Sequence, residues 1–207
     1  MKISISKQQL AALPSAHYTG EIVIIDNPDC VDEAIDDLRK AELIGFDTET
    51  RPSFKKGQSY DVSLMQLSSE KTSYLFRLNK IGLPSGLKAL LEDESKVKIG
   101  LSIHDDFRNL GKSFDIKPKG FIELQEFVTR WSIADKSLSK LYGILFGERL
   151  SKSQRLSNWE AEQLAESQQH YAALDALACI RIYRFLSEGN FKPEECSYQI
   201  EENAAEN

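Results

Sequence analysis

Between residues 21 and 110 the chain alternates short apolar or β-branched runs with stretches of helical spacing. This alternation restricts the fold more than any other feature. Residues 21–25 (EIVII), 43–46, 62–67, 74–78 and 97–101 read as strands. Val31, Ala34, Ile35 and Leu38 fall on one stripe, which predicts a helix over 31–38 with Asp29 near its start. Residues 87–91 and the stretch ending at Leu110 also read as helix, and Ser68-Ser-Glu-Lys71 reads as a turn. Later the spacing is helical: Leu138, Leu141 and Leu145 share a stripe. The pattern over 161–186 predicts two helices meeting near Ser167, with Gly189 and Pro193 marking the end. Strands first and helices afterwards predict an α/β domain, with helices packed on a sheet.

A chain of 207 residues, 41% hydrophobic, suffices for one sizeable core and falls short of two. The expected organisation is a polar N-terminal arm over 1–20 (broken by Pro14), one domain over 21–190 and an acidic C-terminal tail over 191–207. No apolar run reaches the roughly 18 to 20 residues of a spanning helix, so no membrane partner is expected. The opening MKISISKQQL lacks a secretory apolar stretch, so the expected location is cytoplasmic. Three scattered cysteines and three histidines without HxH or HxxxH spacing point neither to a disulfide framework nor to a zinc site. The net charge of −6 argues against coating nucleic acid through bulk positive charge. It leaves open an enzyme that grips a short strand in a cleft.

Three acidic groupings carry chemistry. The strand at 43–46 runs directly into Asp47-Thr-Glu49, whose carboxylates share one face of a strand, about 7 Å apart along the chain. Such crowding suits a hard divalent cation with oxygen ligands, although a strand entering a solvated loop also carries such residues. Tyr171 and Asp175 stand at i and i+4, side by side on a helix. A phenol, with a pKa of about 10, is a poor base near neutrality but orients a water well. Asp105 and Asp106 open a helix after the strand at 97–101, where acidic residues also suit the helix dipole.

In order and spacing these groupings resemble the DEDDy class of 3′–5′ exonucleases, of the ribonuclease D and Werner-syndrome exonuclease-domain type. The resemblance runs from about Glu21 to Leu186. Its quoted segments are FDTE at 46–49, SLMQLS at 63–68, LSNW at 156–159 and YAALDA at 171–176. In the second motif the family aspartate is followed four residues later by an apolar residue. That fits Asp106 with Leu110, and Asp105 is the alternative.

The resemblance implies a ribonuclease H-like mixed central sheet flanked by helices. It implies a metal-dependent 3′–5′ exonuclease that releases nucleoside 5′-monophosphates from a single-stranded 3′ end of RNA or DNA. Asp47, Glu49, Asp106 and Asp175 would hold two divalent cations, Mg²⁺ or Mn²⁺, about 3.5 to 4 Å apart. Tyr171 would position the attacking water. Thr48, Gln66, Phe107 and Arg155 are expected to touch substrate. Phe54, Met65 and Phe107 are candidates to stack on bases, and Arg51, Lys55, Lys56, Arg149, Lys152 and Arg155 to meet phosphates. Trp159 is expected to be a packing anchor. Two other classes stay open: a nucleic-acid-binding or adaptor module of the same fold, and another divalent-metal phosphodiesterase.

Overall fold

The stripe at 31–38 forms a helix that buries Val31, Ala34, Ile35 and Leu38. The structure, a computed structural model, describes residues 2–200. In chain order the elements are β1 (Lys2–Ile3), α1 (Lys7–Ala12), β2 (Glu21–Ile25), α2 (Val31–Leu38), β3 (Leu43–Thr50), β4 (Val62–Ser68), β5 (Thr72–Phe76), α3 (Leu78–Ile81) and α4 (Ser85–Glu92), followed by β6 (Val97–Gly100), α5 (Ile103–Leu110), β7 (Phe121–Glu123), α6 (Leu124–Phe127), α7 (Leu138–Phe146), α8 (Glu166–Ser187) and β8 (Gln199–Ile200).

The main sheet is mixed, with order β2-β5-β4-β3-β6-β7. The hairpins β3–β4 and β4–β5 are antiparallel, whereas β2–β5, β3–β6 and β6–β7 are parallel. Every residue of β4 and β5 is buried, as expected of strands covered on both faces. Period-two alternation sorts the side chains between two layers. Ile44, Phe46, Met65, Leu67 and Phe76 join the cluster under α2, α4 and α5. Leu64 and Leu75 face the other way, toward Trp159 and Leu164 and toward Ala172 on α8.

The approach of α8 to β3 positions the site. Every residue of α8 from Ala172 to Ile180 is buried, and four of them are alanines (Ala172, Ala173, Ala176 and Ala178), which lets the helix backbone settle onto the sheet. At Gly45 the contact leaves no room for a side chain, because a Cβ there would stand 2.0 Å from the carbonyl oxygen of Ala176. Both parties are backbone, so relief requires α8 to move. Gly45→Ala is therefore expected to cost about 3 kcal/mol or more, as severe overpacking does. Thermal unfolding should register a Tm fall of roughly 6 to 12 °C; an unchanged Tm would show that the contact is loose.

Two expectations about helices and ends are corrected. Residues 161–186 do not form two helices, since α8 is one helix starting at Glu166. Its start is held by Gln168, whose side-chain oxygen accepts from the Ala165 amide at 3.0 Å and whose nitrogen donates to Ser157 Oγ at 2.9 Å. The N-terminal segment is not an arm set apart from the core. Ile3 and Ile5 are fully buried with α7 and α8. The carboxylate of Asp135 accepts from Ser4 Oγ at 2.9 Å and from the Ile5 amide at 2.8 Å. Strand β1 pairs with β8, which lies within the expected tail. Residues 201–207 of that tail lie outside the described residues.

Candidate metal centre

Strand β3 carries Asp47 and Glu49 onto the face covered by α8, opposite Gln66 and Leu64 of β4. The register slips between Glu49 and Thr50, a bulge-type irregularity where the strand leaves the sheet. From the other side α8 presents Asp175, one residue before the close approach at Ala176. Ligand oxygens of Asp47, Glu49 and Asp175 all lie within 4.8 Å of one another. These residues are 126 or more positions apart in sequence between β3 and α8, and only the tight helix–sheet packing brings them together.

Asp106 enters from a third element. It sits in the first turn of α5, and its carboxylate accepts from the Thr48 hydroxyl. The start of α5 is fixed from a distance by Glu123 at the end of β7. That carboxylate accepts from the amides of Ser102 at 2.9 Å and Ile103 at 2.8 Å, satisfying donors that a helix N-terminus leaves unpaired. Ser102 adopts a left-handed conformation, φ 61°, so the chain turns sharply from β6 into the helix. Asp105, by contrast, points outward and pairs with Arg108 at 2.8 Å.

Packed this closely, the carboxylates hold protons strongly. Burial, then the charges of Asp106, Glu49 and Asp175, push Asp47 well above the usual carboxylate range. Burial and the charges of Asp175 and Asp106 raise Glu49 to about 9, and the nearby Arg155 charge pulls it partly back. Burial raises Asp106 and Asp175 to about 7 each. The Tyr171 phenol lies beside Asp175, and burial followed by the carboxylate charges pushes it far above 10, so it stays protonated. Its ring is backed by Trp159, with centroids 6.0 Å apart. A buried acidic cluster without a counter-charge is costly. Its all-oxygen character suits a hard divalent cation, and the three converging residues could hold one.

Two cavities flank Tyr171 and Asp175. One, about 510 Å³, is lined by His17, Tyr18, Ser151 and His170. The other, about 340 Å³, is lined by Ser102, Lys136, Lys152 and Arg155. Of the residues expected to touch substrate, Arg155 is exposed at this site. Gln66 is fully buried opposite Asp47, and neither its side-chain oxygen nor its side-chain nitrogen has a hydrogen-bond partner among the described residues. Thr48 is engaged with Asp106. Phe107 packs between Phe46 and Phe121, with centroids at 5.8 and 4.8 Å, and so holds α5 to the sheet. Met65 is fully buried and not a stacking residue. Sequence reasoning missed Glu123. Its partners in α5 lie 20 or more residues upstream, and the local role it also plays, capping α6 by accepting from the Gln125 amide at 2.9 Å, gives no sign of that reach.

Residues 22–189 match the sequence pattern of a family described as 3′–5′ exonuclease. The mouse bifunctional 3′–5′ exonuclease/ATP-dependent helicase WRN is 37% identical over 184 residues, which cover 84% of this chain and 13% of the relative. Among solved structures, the Aedes aegypti Nibbler EXO domain superposes with a TM-score of 0.73 at 23% identity, covering 87% of this chain and 97% of that one. Escherichia coli RNase D superposes with a TM-score of 0.73 at 24% identity, covering 81% and 44%. The chain spans 13%, 25% and 53% of three curated relatives it matches. The solved structures share its fold, a mixed six-stranded sheet flanked by helices.

Proposed function

Because the chain belongs to the 3′–5′ exonuclease family, we propose that it removes nucleoside 5′-monophosphates one at a time from a single-stranded 3′ end. The observation that carries this reading is the convergence of Asp47, Glu49 and Asp175 into one donor set beside a protonated phenol. In this reading those three and Asp106 hold two divalent cations, Mg²⁺ or Mn²⁺. If all four carboxylates ionise, their charge of −4 is balanced by two such ions, so an anionic phosphate can enter. Two such ions held by these carboxylates would supply charge stabilisation to an in-line displacement at phosphorus and would favour ionisation of the attacking water.

The chain's own groups do the positioning. Tyr171 keeps its proton, so it orients the water through its hydroxyl rather than acting as a base. Trp159 and Asp175 hold the ring against the site. Arg155 and Lys152, on the wall of the smaller cavity, face an incoming phosphate.

The test is a 5′-labelled single strand, RNA and DNA separately, incubated with Mn²⁺ or Mg²⁺ or with EDTA. A ladder shortening by single nucleotides, abolished by EDTA, supports the reading. Internal cuts would indicate an endonuclease, and binding without shortening an adaptor. The two neighbouring aspartates give a sharper check. Asp106→Asn is expected to lower turnover roughly 100-fold, while Asp105→Asn, exposed and paired with Arg108, stays within about threefold of the parent. The reverse ranking in initial rates would move the ligand to Asp105.

A further inference from the structure

On the sheet face covered by α8, a polar side chain stands where its neighbours are leucines. Gln66 follows Leu64 by two residues on one face of β4, and it lies directly opposite Leu75 on one flank and Asp47 on the other. Gln66 and Trp159 are both fully buried. Neither amide atom of Gln66 has a hydrogen-bond partner among the described residues, and neither has the indole nitrogen of Trp159.

Unpaired polar atoms in an interior forfeit their hydration without compensation. A third leucine would fill the place of Gln66 without that cost, so packing does not account for the amide. Its chemistry does match its surroundings. An indole N–H only donates, an amide oxygen only accepts, an amide nitrogen donates twice, and an ionised carboxylate only accepts. Residues directly opposite on antiparallel strands have Cβ atoms about 4.5 to 5.5 Å apart, a gap that the two methylenes and amide of a glutamine span. Trp159 packs in one cluster with Leu64 and Leu75, the two apolar neighbours of Gln66. The same indole backs the Tyr171 ring. Gln66 therefore stands between a carboxylate on β3 and the ring that supports the phenol on α8.

We propose that Gln66 is a positioning residue for the metal centre: the Trp159 indole N–H donates to its side-chain oxygen, and its side-chain N–H donates to the Asp47 carboxylate. The proposal rests on the reading of Asp47 as a metal ligand. It adds that one buried amide ties that ligand to the support of Tyr171, so that the two halves of the site are set together. A metal-bound carboxylate is charged, and a hydrogen bond to a charged acceptor is roughly twice as strong as one to a neutral group. The relay is thus a property of the loaded site, and its formation is what the experiment reads.

The ¹⁵N-labelled full chain is titrated with Mg²⁺ while its indole N–H resonances are followed. Trp131 and Trp159 supply two such resonances, and Trp159→Phe tells them apart. Hydrogen bonding moves an indole proton downfield. The Trp159 resonance is expected to move downfield as the site fills in the parent and to stay in place in Gln66→Met, which keeps the volume and removes both polar atoms. Calorimetry should show Mn²⁺ binding weakened about 10- to 100-fold in Gln66→Met, as for other groups that orient a metal ligand. Its Tm in EDTA should equal or exceed the parent's, because an unpaired buried amide is gone. Adding Trp159→Phe to Gln66→Met should weaken Mn²⁺ binding no further, since one relay is already broken.

Mn²⁺ affinity within twofold of the parent in Gln66→Met overturns the proposal, and so does a lowered Tm with metal affinity kept, the mark of a packing role. Fully additive losses in the double variant overturn the link to Trp159. The parent's own resonance judges the relay whatever the stability of the variants: a Trp159 signal unmoved at saturating Mg²⁺ overturns it and leaves the metal centre standing. A parent that binds no divalent cation overturns the metal-centre reading, and the relay with it.

Discussion

Asp47→Asn is expected to abolish metal-dependent strand shortening, with a loss on the order of 10³-fold or more, above the 10- to 100-fold typical of losing a supporting partner. Asp47 is a member of the converging donor set and feels the charges of the other three acids. The substitution keeps the shape of the side chain and removes its charge, so the fold should survive. In the absence of metal near pH 8 the variant should even be more stable than the parent, because an amide, unlike the Asp47 carboxyl, need not take up a proton to be buried among the other acids. Rates on a labelled strand and Tm in EDTA check both halves. Near-normal turnover would remove Asp47 from the metal site, and a sharply lowered Tm would make its role structural.

The second large effect concerns pH. Glu49 is raised to about 9, Asp106 and Asp175 to about 7, and Asp47 in the same direction. Each raised carboxyl keeps its proton in the folded state at pH values where the unfolded chain, near pH 4, has already released it. The unfolded state therefore binds fewer protons, and stability falls as pH rises. The contribution is fully present below about pH 4 and is lost progressively between about pH 4 and 9. These groups interact, so their effects do not sum. A combined loss of several kcal/mol corresponds to a Tm decrease on the order of 10 °C. Thermal unfolding in EDTA across that window should show the decline. Millimolar Mn²⁺ should reverse most of it at pH 8, since the cation replaces the protons and binds only the folded site. A flat Tm in EDTA, or a Tm indifferent to Mn²⁺, would contradict the electrostatic account.

Local physics made much of this legible from sequence. A helix over 31–38 follows from one apolar stripe, and it is present with those bounds. The DxE segment lies on a strand and Tyr171 and Asp175 on one helix, where period-two and i,i+4 spacing place them. What escaped depends on distant partners. Ile3 and Ile5 form a run too short to declare itself; the apolar residues that bury them lie on α7 and α8, and Asp135, some 130 residues away, anchors the segment by hydrogen bonds. The short strand β7 pairs only along one edge of β6 and has three residues in which to show a pattern. The cap that Glu123 provides to α5 is invisible for the same reason. Phe107 reads equally well as a base-stacking ring or a packing ring, and its contacts with Phe46 and Phe121 decide for packing. At Gly45 the residue type is plain in the sequence, but the need for it arises only when Ala176 arrives from the far end of the chain.

The most direct measurement is Mn²⁺ binding by the purified protein, followed by isothermal titration calorimetry in the presence of a nucleoside 5′-monophosphate. Two ions per chain are predicted for the parent, with binding severely weakened in Asp175→Asn. A parent that takes up no divalent ion at millimolar concentration would contradict the account, whatever its fold.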